Sequence, residues 1–150
     1  MNADVPEALK IEHAELREQL GKAAAAGGKT GEAAEQVMKV LRPHILLEEE
    51  FAIPPLTLLA RLARGEVTAD MRRYMTQAET LKAELPRMLE EHGLIVEALR
   101  GLVQAAQEEG HTGYARYAQK MILHLQTEEE ILYPASILVG EHLRWKLGKA

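Results

Sequence analysis

The sequence has no cysteine among its 150 residues. Its absence excludes disulfides, thiolate metal sites, iron–sulfur ligation and a cysteine nucleophile. Aromatic residues are few, with one tryptophan and one phenylalanine. No apolar run approaches the ~20 residues that a membrane-spanning helix needs. The N-terminal stretch MNADVPEALK carries acids and lacks the apolar core of a signal peptide. We therefore expect a soluble, cytoplasmic protein with no membrane partner.

Charge and length limit the class of protein further. The net charge of −5 argues against nucleic acid as a partner. The abundant residues Ala, Leu, Glu, Arg and Met favour helices, and no segment alternates as a strand does. The chain is long enough for one ordinary domain. We predict a single all-α domain over residues 1–150, an antiparallel four-helix bundle with short extra helices.

Apolar periodicity and helix-stop residues give the predicted boundaries. Asp4 is the predicted N-cap of a first helix that ends at Gly27, and Thr30 is the predicted N-cap of the second after a loop. Pro43 is expected to bend the second helix or to start a new segment, Pro86 is expected to break or kink a later helix, and Pro134 is expected to end another. The remaining predicted helices are 31–53, 56–64, 69–85, 86–109, 113–132 and a terminal helix through Trp145.

One motif occurs twice in the chain. The stretches 44–54 and 124–134 both begin with His, carry Glu at the fourth, fifth and sixth residues after it, and end with Pro at the tenth. Each has a further histidine upstream, His13 and His92, at separations of 31 and 32 residues. A repeat at this spacing predicts two equivalent helix pairs.

The repeated motif places a carboxylate beside an imidazole. Because an α-helix turns about 100° per residue, Glu48 lies about 40° around the axis from His44, and Glu128 lies likewise beside His124. Six titratable residues fall in apolar stripes that should face one axis. They are His13, His44, Glu48, His92, His124 and Glu128.

This arrangement is costly without a cation. Burial of an unpaired carboxylate costs several kcal/mol, and two adjacent carboxylates raise one pKa strongly. A metal pair relieves both costs, and imidazole with carboxylate suits iron, manganese or zinc. Di-iron carboxylate bundles build their sites from inward-facing Glu and His on facing helices. We therefore predict a metal site at these six residues.

The pattern, from His13 to Pro134, resembles the hemerythrin-like, or HHE cation-binding, family. The resemblance implies a four-helix bundle with a non-haem di-iron centre that has an oxo or hydroxo bridge. Two histidine pairs would each hold one iron, His13 with His44 and His92 with His124. Glu48 and Glu128 would bridge the irons, and each iron would keep an open position for a small ligand.

The sequence departs from the oxygen carriers of that family. Their third helix carries a second histidine where this chain has Val96, and Glu129 is available beside the preferred ligand Glu128. The four-histidine pattern is more similar to the bacterial branch linked to nitric-oxide stress, iron–sulfur repair and peroxide handling. Both irons would then be equally open.

The resemblance implies a function, and some questions stay open. The expected protein binds or reduces O2, NO or peroxide with an unidentified electron donor, and whether it is an enzyme is undecided. Its oligomeric state is also open. The alternative is a metal-free or zinc-bound helical interaction module.

Residues around the motif have predicted roles as well. Phe51 and Ile131 are expected to form an apolar lid over the site. Tyr117 is either core or a hydrogen-bond donor to the site, and Glu12 and Glu91 are expected to be solvated. His111 and His142 are predicted surface residues.

Overall fold

Every regular element in the described part of the chain, residues 5–148, is helical in the computed structural model. The α-helices are α1 (Glu7–Ala25), α2 (Gly28–Leu47), α3 (Leu59–Ala63), α4 (Arg72–Glu108), α5 (Thr112–Thr127) and α6 (Tyr133–Leu147). Two π-helical turns, Glu48–Ala52 and Glu128–Leu132, and two 3-10 turns, Pro54–Leu58 and Ala69–Met71, complete the order. The all-α prediction is confirmed, whereas the predicted N-cap Asp4 lies outside the described residues.

The main core is shared by α1, α2, α4 and α5. Its buried apolar side chains come from all four helices, as in Leu20, Val37, Leu99 and Met121. A second cluster joins α6 to the start of α4 through residues such as Leu143 and Met75. A third surrounds the first π turn and contains Phe51, Leu81, Met88 and Tyr133. None of the described helices is both long and apolar enough to cross a membrane.

The predicted division of the helix at Pro86 is wrong, whereas Pro134 does lie where one helical element ends and the next begins. α4 runs for 37 residues through Pro86, so the separate segments 69–85 and 86–109 do not exist. A proline inside a helix removes one hydrogen bond, but Leu81 and Met88 on either side are fully buried, and their packing holds the helix together. Pro134 lies in the first turn of α6, where its missing N–H costs little. Pro43 likewise lies within α2.

The first connection is shorter than predicted. Gly27 alone, at φ 71°, separates the end of α1 and its cap residue Ala26 from α2. Thr30 is therefore inside α2 and is not its N-cap. Backbone N–H groups in the first turn of α2 instead donate hydrogen bonds to Glu109, which follows α4. Its carboxylate accepts hydrogen bonds from the Thr30 N–H at 2.8 Å, the Thr30 hydroxyl at 2.6 Å and the Lys29 N–H at 3.1 Å.

Replacing Glu109 by Gln should lower stability in a pH-dependent way. The hydrogen bonds from Thr30 lower the pKa of Glu109 below its ordinary value of 4.5. A lowered folded-state pKa means that the ionised carboxylate stabilises the protein above pH 4.5, and this contribution disappears as the pH falls further. We expect the melting temperatures of parent and E109Q to differ most near neutral pH and to converge in acid.

Thermal unfolding followed by circular dichroism checks this, with E97Q as the control because Glu97 is exposed on α4. A gap between parent and E109Q that stays constant from about pH 6 to about pH 3 would contradict the role given to Glu109.

Gly140 on α6 lets two helices approach closely. A Cβ at this position would overlap the Cβ of Ala78 on α4, and the G140A variant would meet that contact directly. The substitution should therefore destabilise the fold by about 1–3 kcal/mol through overpacking. Gly101 on α4 differs, because no neighbouring atom lies within 4 Å of the place that a Cβ would take. G101A should instead stabilise α4 by about 0.5–1 kcal/mol.

Urea unfolding measures the free energy of both variants. Adding Ala78→Gly to G140A should recover stability, because it removes the other half of the close contact between α4 and α6. If the double variant is no more stable than G140A, the strain does not arise from the contact between positions 140 and 78.

Candidate metal centre

The six side chains predicted to bind metal lie together in the structure. α1, α2, α4 and α5 supply His13, His44, His92 and His124 respectively, while Glu48 and Glu128 begin the two π turns. All are buried except His124, which is half-buried. Of the two candidate acids after His124, Glu128 is the one inside the cluster, and Glu129 is exposed.

Within residues 5–148 the side chains form two overlapping groups that could each hold a metal ion. The four-residue group is His44, Glu48, His92 and Glu128; the three-residue group is His13, His124 and Glu128. In each group the potential ligand atoms lie within 4.8 Å of one another. Glu128 belongs to both groups.

The two oxygens of Glu128 face different groups. Its Oε1 lies 3.0 Å from Nε2 of His92. Its Oε2 lies 3.1 Å from Nε2 of His124 and 3.8 Å from Nε2 of His13. In the four-residue group, Glu48 Oε2 is also 3.6 Å from His44 Nε2. A carboxylate oriented in this way could bind one cation through each oxygen.

The histidines are paired differently from the prediction. The rings of His44 and His92 are in contact, with centroids 4.6 Å apart, and those of His13 and His124 are 5.3 Å apart. The predicted pairs, His13 with His44 and His92 with His124, are therefore wrong. Both observed pairs join a histidine of the first half of the chain to one of the second half.

Each π turn starts at the glutamate of a His-x-x-x-Glu motif. The carbonyl of Glu48 accepts a hydrogen bond from the Ile53 N–H at 2.9 Å, and the carbonyl of Glu128 accepts one from the Tyr133 N–H. These bonds span five residues, one more than in an α-helix. Such turns occur mostly inside α-helices and frequently at functional sites. The sequence analysis predicted neither.

Tyr133 is the site residue that the sequence analysis missed. Its hydroxyl donates to Glu48 Oε2 at 2.6 Å and lies 3.0 Å from Nε2 of His92 and 3.2 Å from Nε2 of His44. In a regular α-helix, Tyr133 would point about 140° away from Glu128. The π turn reduces this offset, because its i→i+5 hydrogen bond places more residues in one turn and each residue rotates the chain less. Ile53, also buried, has the equivalent place in the first repeat.

Two glutamates orient the imidazoles from outside. Nδ1 of His44 lies 2.7 Å from Glu91, and Nδ1 of His124 lies 2.5 Å from Glu12. The prediction that both acids are merely solvated is therefore wrong. Each acid directly precedes a cluster histidine on its own helix, yet it reaches a histidine on another helix. An N–H donated from Nδ1 leaves Nε2 free to face the cluster.

His92 lacks such support on its outer side. Its Nδ1 is buried without a hydrogen-bond partner among the described residues, and its distance to Glu129 is 3.9 Å. The imidazole of His92 is therefore oriented mainly by Glu128 and Tyr133 on its Nε2 side.

The two acids of the cluster have pKa values shifted in opposite directions. Burial, and then the charge of Glu128, raise the pKa of Glu48. Burial also opposes ionisation of Glu128, but hydrogen bonds from His124, His13 and His92 outweigh it and hold its pKa well below the usual range. Glu128 is therefore the acid that carries the negative charge, while Glu48 retains a proton more readily.

The imidazoles respond to the same acids. Burial lowers the pKa of His44, but its hydrogen bond and charge interaction with Glu48 reverse the effect and raise it overall. Burial likewise lowers the pKa of His124, and Glu128 raises it. Protons thus compensate the buried carboxylates in the metal-free protein, and a cation bound by the same nitrogen and oxygen atoms would replace them.

The chain matches no protein-family model, no curated protein and no solved structure. A function for it must therefore be inferred from the chemistry of the site.

The other residues singled out in the sequence lie outside the cluster of potential ligands. Phe51 is buried, but Ile131 is 60% exposed, so the predicted lid of these two residues is wrong. Tyr117 donates its hydroxyl to the Leu16 carbonyl at 2.8 Å and belongs to the main core. His111 and His142 are half-buried and contact Tyr114 and Trp145, outside the metal groups.

Glu91→Gln should weaken metal binding without removing a direct ligand. The loss of the carboxylate that orients His44 is expected to lower the affinity for Zn(II) or Fe(II) about 10–100-fold. Glu12→Gln should act similarly through His124. Competition with a chromophoric chelator measures the affinity. The matched control is Glu90→Gln, since Glu90 is the exposed neighbour of Glu91, and an E91Q affinity equal to that of E90Q would contradict the orienting role.

Proposed function

We propose that this chain is a non-haem di-iron protein of the hemerythrin-like type, an antiparallel four-helix bundle that binds or reduces O2, NO or peroxide. The observation on which this depends is the position of Glu128, whose two oxygens each face a separate group of imidazoles. A buried carboxylate with this orientation is what a pair of cations needs as a bridge.

The bundle is supported by how its four long helices share the core and the site. α1, α2, α4 and α5 each supply one histidine to the cluster and several side chains to the main core. The two connections within the repeats, residues 26–27 and 109–111, are short. Short connections favour antiparallel neighbours.

The donor atoms fit iron. They are imidazole nitrogens and carboxylate oxygens without thiolate, a set that suits iron and is also compatible with manganese or zinc. When bound, two irons would supply the electrons and the open coordination positions that O2, NO or peroxide requires. The protein holds the imidazoles in place through Glu91 and Glu12, and Glu128 retains negative charge in the interior.

The space beside the three-residue group fits a small ligand. A cavity of about 20 Å³ contacts His13, His124, Glu48 and Glu128, and Arg17 and apolar side chains including Leu41 line the rest of it. About 10–15 Å³ is enough for one water molecule. A cavity of this size favours a ligand of a few atoms over an organic substrate.

The metal content of protein expressed in iron-replete cells tests this proposal. We expect about two irons per chain and near-ultraviolet bands typical of a bridged ferric pair. H44A removes a ligand from the four-residue group and H124A from the three-residue group, so both should lose iron and the bands. H142A is the control, because His142 lies outside both groups.

Less than one iron per chain after anaerobic reconstitution with Fe(II), with H44A and H124A as stable as the parent, would contradict the proposal. It would favour the metal-free or zinc-bound interaction module. If iron is bound, a reversible oxygen spectrum identifies a carrier, and catalytic consumption of peroxide or NO identifies an enzyme.

A further inference from the structure

The hydroxyl of Tyr133 lies among the potential ligand atoms and not behind them. It is 2.6 Å from Glu48 Oε2, 3.0 Å from His92 Nε2, 3.2 Å from His44 Nε2 and 3.4 Å from Glu128 Oε1. One phenolic oxygen therefore contacts all four side chains of the four-residue group. The tyrosine itself is 1% exposed.

These distances match those between neighbouring ligands of one metal. Ligand atoms with bonds of ~2.1 Å lie about 3 Å apart when the bonds meet at right angles, and about 4.2 Å apart when they are opposite. The pairs His92–Glu128 and His44–Glu48 are separated by 3.0 and 3.6 Å, and all four atoms lie within 4.8 Å. The Tyr133 oxygen lies at a comparable distance from all four side chains.

The contacts of Tyr133 also differ from those of an orienting residue. Glu91 supports His44 through Nδ1, on the side away from the cluster. Tyr133 instead meets His44 and His92 at Nε2, the atoms left to face a metal. A group on that side competes for the same space as the metal or is bound to it.

We propose that Tyr133 is itself a ligand of the metal held by His44, Glu48, His92 and Glu128. The phenolic O–H bond breaks as the metal–oxygen bond forms, and the proton passes to water, as for other ligands that bind metal in deprotonated form. The inference rests on the metal centre proposed above.

With Tyr133 as a ligand, the two metal positions have different protein ligands. In the first repeat the counterpart of Tyr133 is Ile53, which offers no ligand atom. The three-residue group, as the described residues define it, has fewer protein ligands and the small cavity beside it. The small ligand is therefore confined to the side of His13 and His124, in contrast to the equal openness expected from the sequence.

The electronic spectrum of the ferric protein tests the assignment. Tyrosinate bound to Fe(III) gives a visible charge-transfer band and resonance-enhanced Raman modes of the phenolate ring, which imidazole and carboxylate ligands do not give. We expect both signals in the parent and their loss in Y133F, with iron still bound. Y117F is the matched control, because Tyr117 is a buried tyrosine whose hydroxyl donates to Leu16.

The outcomes separate the two proposals. Iron-loaded parent protein without a tyrosinate signal would overturn the ligand role, leave the di-iron centre intact, and mark Tyr133 as a hydrogen-bond donor only. A parent that binds no iron would overturn both. If Y133F does not fold, the triple variant Y74F/Y114F/Y117F identifies the tyrosine ligand, because it leaves Tyr133 as the last of the 4 tyrosines. Retention of the tyrosinate signal in this variant assigns the signal to Tyr133, and its loss excludes Tyr133.

Discussion

The interaction of Glu128 with three histidines is the constraint around which the rest of the site is arranged. This carboxylate is 1% exposed, and a buried charge of this kind is strongly destabilising unless it is compensated. His13, His92 and His124 provide that compensation from three different helices. The helices must therefore converge at one level, and any variant that separates them leaves a charge in the interior.

The π turns determine which side chains reach that level. By adding one residue to a helical turn, the second π turn brings Tyr133, five positions after Glu128, towards the cluster. In the first repeat the same position holds Ile53. Two π turns at matching positions of the repeats are thus followed by side chains of different chemistry.

Much of this molecule could be predicted from its sequence. The helical class followed from composition, and the cluster residues followed from a repeated His-x-x-x-Glu at a spacing of one helical turn. The errors have physical causes. Pro86 does not interrupt α4 because buried neighbours hold the helix. Thr30 is not a cap because Glu109, distant in sequence, takes that role.

Other features depend on contacts that a linear pattern does not contain. The histidine pairing depends on how four helices come together, and Glu12 and Glu91 were misjudged because their partners are on other helices. Tyr133 was missed because an angle of about 100° per residue does not apply in a π turn. One signal was present: at this position the two repeats differ by a hydroxyl-bearing side chain.

The exchange of partners between the repeats has a consequence for folding. His44 of the first half relies on Glu91 of the second, and His124 of the second half relies on Glu12 of the first. Both potential metal groups also draw atoms from both halves. Neither half can complete a group by itself, so the binding energy of a metal at these residues would be shared across the interface between them. Metal loading would then be thermodynamically linked to the cooperativity of the whole chain, because a partly folded chain would have no intact site with which to capture a cation.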